Sequence, residues 1–317
     1  FRYPLNLLDT KMENLAIVSV LIILILLGTI GNTCVLTVFL HIAVKNGELL
    51  PSDRSVINMS IVHLLASVFK NILYVFDFFK MHLLNNIGCR LLLYSINLFR
   101  TLSISFTLLL SLFQFNKLQN STYPGINVIS LKFEKSICLV SVLLWIISSA
   151  IFTPLLFFDD ILTLNNSSGL LQFSSCSISP SGGYHLYFGI GTIILVDGFG
   201  AFAIVTMNVL ILKILWKHHE MVAARGWVHN ANHMATLNAV KIVACLLITY
   251  IICWSINIII RILLMRFGAS LSAIPMADIA SVFSSLYYSF SPFIIIFGRS
   301  SIQKKIHNIL IRCPFIR

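Results

Sequence analysis

Charge is what this sequence has least of. Lys, Arg, Asp and Glu together make up 10% of its 317 residues, where a soluble domain carries about a quarter. With 58% hydrophobic residues and a mean hydropathy of +0.93, the chain reads as a bundle whose solvent is lipid. Acidic residues are the scarcest, 11 against 22 basic, for a net charge of +11. In a soluble protein that excess points to nucleic acid. Here the basic residues fall in short connecting segments, where they orient a membrane protein, so no nucleic-acid partner is expected. The apolar segments also lack a metal cluster, a nucleophile elbow and paired catalytic carboxylates. No enzyme, metal or cofactor is therefore expected. An internal repeat is missing too, which weighs against a transporter built from inverted halves.

What the chain does have is long apolar runs. A membrane helix needs roughly 20 mostly apolar residues. Seven segments meet or approach that length, at about 15–43, 53–79, 89–118, 136–158, 185–216, 239–264 and 276–298. The fold class expected is an all-α integral membrane protein, a single domain of seven transmembrane helices. The first run is too long for a signal-peptide core, and no small-residue cleavage site follows it. Phe1 is no initiator, and Met12, just before that run, is a candidate start.

Orientation follows from the basic residues. With the N-terminus outside, fourteen Lys and Arg lie on the inner side and six on the outer, with Lys70 and Arg100 within spans. The excess predicts an extracellular N-terminus and a cytoplasmic C-terminus. Of seven cysteines, Cys34, Cys138, Cys245 and Cys253 fall inside spans and Cys313 in the cytoplasm. Only Cys89 and Cys176 face outward, where disulfides persist, so these two are expected to pair. Asn165 and Asn166 fit the glycosylation pattern in the outer loop between the fourth and fifth spans. The same pattern at Asn58 and Asn120 falls in a helix and on the inner side, where it is chance. In the tail, Ile302, Ile306, Ile309 and Leu310 share one helical face with Lys304 and Lys305 off it. An amphipathic helix over 299–312 on the inner leaflet is expected, with Cys313 either a palmitoylation site or a plain thiol.

Seven spans, short loops and a basic amphipathic tail suggest a G-protein-coupled receptor. PSDRSVINMSIVHLLAS (Pro51–Ser67) and GCRLLLYSINLFRTLSISFTLLLSLFQF (Gly88–Phe115) make the likeness specific. The proline-led second span with His63, Cys89-Arg90, Arg100-Thr-Leu-Ser-Ile104 and Leu109-Leu-Ser-Leu-Phe-Gln114 resemble the vomeronasal type-1 receptors, most of all their fish relatives, the olfactory receptor class A-like proteins. The likeness covers the first three spans and Ser291–Ile296, and is loose in spans four to six. It departs from the large rhodopsin-like group. Phe113-Gln114-Phe115 stands where that group has an acidic–Arg–aromatic triplet, and His63 stands in place of an Asp. Ser291-Pro-Phe-Ile-Ile295 replaces Asn-Pro-x-x-Tyr. The alternative is a type-2 bitter taste receptor, which shares the short loops; its early Leu-Ala-Ile-Ser-Arg stretch is missing, and the outer cysteine pair argues against it. A membrane transporter is the more distant alternative.

The resemblance implies a chemosensory receptor in the plasma membrane. It would bind a small odorant or pheromone within the bundle and activate a heterotrimeric G protein of the inhibitory type. Contact with that partner is assigned to Gln114, Asn116, Lys117 and the third inner loop. The four His of that loop (His218, His219, His229 and His233) read as a solvated segment rather than a metal site.

Arg100 is the residue that needs explaining. A charge inside a span costs about 2.5–3.5 kcal/mol on insertion scales. Arg100 lies 11 residues past Cys89, about 16 Å deep at 1.5 Å per residue. Asp197 lies about 18 Å into the fifth span on the same rise, and the resemblance makes the third and fifth spans neighbours. Three readings stand: the two form a structural pair, Arg100 binds an anionic ligand with Asp197 as its counter-ion, or the two are placed independently of one another. A cationic ligand would favour Asp197 instead, so the ligand's charge stays open. Phe99, Ser103 and Phe106 flank Arg100 and are candidates for the same face. His63 reads as a hydrogen-bonded bundle residue. Lys70 and Asp77 are left to snorkel or find partners elsewhere, and Asp278 to be solvated.

Overall fold

Where it is described, each long apolar run is helical, because a backbone in hydrocarbon must satisfy its own hydrogen bonds. A computed structural model describes residues 3–46, 49, 51–78, 86–122, 136–157, 161–162, 177–178, 183–224, 245, 248–260, 262–263 and 273–298. Among them are α1 (Tyr3–Asn46), α2 (Pro51–Phe78), α3 (Asn86–Thr122) and α4 (Ile137–Phe152). The fifth span comprises α5 (Gly183–Thr192), a π-helical turn (Ile193–Gly198) and α6 (Phe199–Ala224). The sixth is α7 (Ile248–Ile260) and the seventh α8 (Ala273–Gly298). Six of the described helices are long and apolar enough to cross a membrane, and α7 is a shorter apolar helix. Seven elements thus correspond to the seven expected spans.

The boundaries differ from expectation in instructive places. α1 begins at Tyr3, well before residue 15, with Pro4 in its first turn, where a missing N–H costs nothing. α4 stops at Phe152, and a 3₁₀ turn (Thr153–Leu156) replaces the expected last turn, because Pro154 cannot donate to an α-helical ladder. The fifth span is not uniform: its π turn falls on the stretch that carries Asp197. The described residues of the loop after the fourth span form a short antiparallel pair, β1 (Ile161–Leu162) and β2 (Ser177–Ile178), with Ile161 opposite Ile178 and Leu162 opposite Ser177.

α3 is the axis of the bundle. It packs against α2, α4, α6 and the π turn, while α1 packs against α2 and α8. Its central window is 61% buried, against 22% for the fourth and fifth spans. Leu102, Phe106 and Leu109 of α3 join Val62 of α2, Ile204 of α6, Tyr250 of α7 and Tyr287 of α8 in one core. The outward faces of α1, α4 and the fifth span carry Ile23, Leu26, Ile146, Leu195 and Phe202 exposed, as lipid-facing helices should.

Glycine allows two of the close approaches. A Cβ on Gly200 would sit 2.6 Å from Ile104 Cγ2, so α6 lies against α3 only without a side chain there. A Cβ on Gly31 would meet Pro292 Cγ at 2.8 Å, where α1 crosses α8.

Polar side chains tie the helices together. Asn32 Nδ2 donates to the Tyr288 carbonyl at 3.2 Å, and Ser289 Oγ to the Leu24 carbonyl at 2.6 Å. Asn71 and Ser285 exchange two bonds, at 3.0 and 3.1 Å, between α2 and α8. Asn208 Nδ2 donates to Ser111 Oγ at 3.2 Å between α6 and α3. Asn58 bonds the Arg54 carbonyl and Ser141 Oγ within the bundle, which suits the reading of its glycosylation motif as chance.

Candidate ligand cavity

α3 carries Arg100 on the side that faces the fifth span. Arg100 Nε lies 3.3 Å from Asp197 Oδ1, and the two side chains are 13% and 1% exposed. The two charges placed at one depth by helical rise therefore meet. The π turn presents Asp197. An extra residue per turn shifts the helical register, and such bulges recur at functional sites. Here the Phe199 N–H reaches the Ile194 carbonyl, so the face presented by the fifth span is reset within one turn.

The pair lines a cavity of about 210 Å³ enclosed by α2, α3, the π turn, α7 and α8. An engineered cavity of about 150 Å³ holds benzene, so a one-ring molecule fits. Besides Arg100 and Asp197, its wall includes Lys70, Trp254, Asn257 and Tyr288. Asn257 Nδ2 donates one of its two hydrogens to the Cys253 carbonyl at 2.7 Å. Arg100 Nη2 and Trp254 Nε1 are buried and have no hydrogen-bond partner among the described residues. Lys70 Nζ donates to Ser284 Oγ, and Ser284 Oγ in turn donates to the Ala280 carbonyl at 2.8 Å. Cationic groups thus outnumber carboxylates on the described wall by two to one. Among the described residues, Arg100 Nε and Asp197 Oδ1 make no other hydrogen bond and face each other as the ion pair, which leaves Arg100 Nη2 and Trp254 Nε1 as donors with nothing opposite them.

A second polar centre lies beside the cavity and is differently built. His63, fully buried, bonds Ser291 Oγ through Nδ1 and Ser103 Oγ through Nε2, both at 2.8 Å. A neutral imidazole has one donor and one acceptor nitrogen, so each hydroxyl takes the complementary role. One ring thereby joins α2, α3 and α8. The Tyr287 and Tyr288 rings pack on it at 5.3 Å each. Thr107 Oγ1 bonds the Tyr287 hydroxyl at 2.9 Å, and Tyr250 and Trp254 of α7 pack edge-on against Tyr287. Tyr288 belongs to both centres, since it also lines the cavity.

The candidates read from sequence divide accordingly. Arg100 and Asp197 line this cavity, whereas Phe99, Ser103 and Phe106 do not. Phe99 packs between Phe69 at 5.3 Å and Trp145 at 6.3 Å. Ser103 belongs to the His63 centre, and Phe106 is fully buried in the core. Gln114 is half-buried and Asn116 buried toward the end of α3; the Lys117 side chain is outside the described set. Cys89 is disulfide-bonded, while Cys34, Cys138, Cys245 and Cys253 are free. Cys176, Asn165, Asn166, the third inner loop from 225 on, the tail 299–312 and Cys313 lie outside the described residues, as do the side chains of Asp77, His218, His219 and Asp278. No group of metal-binding side chains occurs among the described residues. Sequence reading missed Lys70, Trp254 and Tyr288 as cavity residues. Lys70 did carry a signal, an ammonium within a span with no partner to explain it.

A profile of the vomeronasal organ pheromone receptor family matches residues 15–308. The chain belongs to that family. It is also similar to olfactory receptor class A-like protein 1 of Danio rerio, at 25% identity over 291 residues covering 88% of each chain. Membership makes it a multi-pass membrane protein and a chemosensory receptor of the G-protein-coupled kind, and sets aside the bitter-taste alternative. In this vomeronasal-type receptor the ion pair and the cavity fall within the matched region.

Proposed function

We propose that this receptor detects a small organic acid, which reaches the cavity from the extracellular side and is held by Arg100. The observation that carries the reading is the buried guanidinium, engaged by Asp197 on one edge while Nη2 has no acceptor among the described residues. A guanidinium accepts an oxyanion in two parallel bonds. A carboxylate or sulfate there competes with Asp197 for Arg100 and loosens the link between α3 and the fifth span. The ligand's body packs toward Trp254 and Tyr288, and Tyr288 passes the change to His63. Signalling requires that the acid bind the active packing better than the resting one. The active inner face then engages a heterotrimeric G protein of the inhibitory type through Gln114, Asn116, Lys117 and the third inner loop. The receptor sits in the plasma membrane with its N-terminus outside, a Cys89–Cys176 disulfide and glycans at Asn165 or Asn166.

The test is the surface level, and the second-messenger response normalised to it, of cells carrying wild type, Arg100→Gln, Asp197→Asn and the double variant. The panel holds small aromatic carboxylates, aryl sulfates and amines. Removing one member of a buried pair costs about 3–5 kcal/mol in soluble proteins, so Arg100→Gln alone lowers the surface level and the double variant restores it. The acid response is expected to stay lost in the double variant. Acids that act equally on the double variant, or amines that act where acids do not, would overturn the reading and leave a purely structural pair.

A further inference from the structure

The second cation on the cavity wall has no role in the reading above. Lys70 and Arg100 project from neighbouring helices, α2 and α3, into the same space, with Asp197 as the one carboxylate among the described lining residues. An ammonium has three donors. One of Lys70's goes to Ser284 Oγ, a hydroxyl that already donates to its own helix. The contact is not needed to hold α2 to α8, because the next residues along, Asn71 and Ser285, join the two helices with two hydrogen bonds of their own. A methionine or leucine would fill the position in a membrane span at far lower cost than a lysine.

We infer that Lys70 is a second anion-binding residue of this cavity, so that a ligand's acid group is shared between Lys70 and Arg100. The inference rests on the acid reading and deepens it. It names the ligand class as small aromatic oxyanions with at least two acceptor oxygens on one centre, one facing α2 and another α3. The ring then lies toward Trp254, whose indole N–H has no partner among the described residues and can serve a third acceptor. A neutral amide of the same shape meets both cations without a compensating charge and acts only at higher concentration than the acid.

The experiment compares wild type, Lys70→Met, Lys70→Arg, Arg100→Gln and Ser285→Ala at matched surface level. The probes are 3-phenylpropanoate, phenyl sulfate and 3-phenylpropanamide, read by second messenger and by the melting midpoint of the purified receptor. Losing a charge-assisted contact is expected to lower the potency of both acids about tenfold or more in Lys70→Met. Amide potency should hold, and Lys70→Arg should keep most of the acid preference. Ser285→Ala, which loosens the α2–α8 seam without touching the cavity wall, should lower the melting midpoint and leave acid preference intact. If Lys70→Met keeps the wild-type acid preference, or lowers acid and amide together as a loosened seam would, Lys70 is a structural tie and the inference fails. If the acids neither activate the wild type nor raise its melting midpoint, or act without Arg100, the acid reading fails as well.

Discussion

The His63 centre and the cavity are both polar, both buried in the bundle and share Tyr288, yet they are satisfied to different degrees. Around His63 each ring nitrogen has a hydroxyl at 2.8 Å, and Thr107 completes the neighbouring Tyr287. Around Arg100, one edge of the guanidinium meets Asp197 while Nη2 and the Trp254 indole have no acceptor among the described residues. A satisfied network holds helices in one arrangement. A set of donors with unspent capacity is costly to bury and is what an acceptor-rich ligand requires. On the reading proposed above, the difference separates the part that holds the bundle from the part that would read the ligand.

Three substitutions sharpen that contrast, apart from those on the cavity charges. The largest effect is expected for His63→Ala. It removes two interhelical bonds, each about 0.6 kcal/mol on average in membranes, and leaves a ring-sized cavity, for a total of about 2–4 kcal/mol. Melting midpoint and surface level should fall whatever ligand is present. A variant that melts like wild type but has lost only its ligand response would move His63 to the sensing side. Gly200→Ala comes next. Its Cβ would stand 2.6 Å from Ile104 Cγ2, and overpacking of this kind costs about 1–3 kcal/mol. Ile104→Leu, which has no branch at Cβ, should restore part of the midpoint; absence of rescue would mean that α6 does not rest on α3 at this point. The smallest change is Tyr287→Phe, which deletes one bond to Thr107 while Thr107 keeps the Ser103 carbonyl at 2.7 Å. A loss of about 0.6 kcal/mol is expected. A loss several times larger, measured by the same melting assay, would show the network to be more cooperative than its separate bonds.

Much of the bundle was legible because hydropathy acts along the chain. Runs such as Leu15–Lys45 and Ile137–Leu156 satisfy the membrane's length rule by themselves. The Arg100–Asp197 meeting was legible for a similar reason. Helical rise converts residue number into depth, and two opposite charges at one depth on neighbouring helices have few other partners. Helix rotation was not legible. Phe99, Ser103 and Phe106 lie close to Arg100 in sequence, but each faces a neighbour other than the cavity. Apolar residues surround α3 on most sides, so periodicity marks no single inner face. Lys70 was missed because its cavity is assembled from helices distant in sequence.

By itself, then, the sequence determined the solvent, the number of spans, the family and the common depth of Arg100 and Asp197. Each of these depends on local composition, on depth or on a linear motif. Only the tertiary structure decided which polar groups finish one another's hydrogen bonds and which are left with donors to spare. The π turn in the fifth span and the glycine contact at Gly200 set how that span meets α3, and packing against α2, α7 and α8 brought Lys70, Trp254 and Tyr288 to the same wall. Those are properties of helix register and rotation, which side chains far apart in the chain settle jointly.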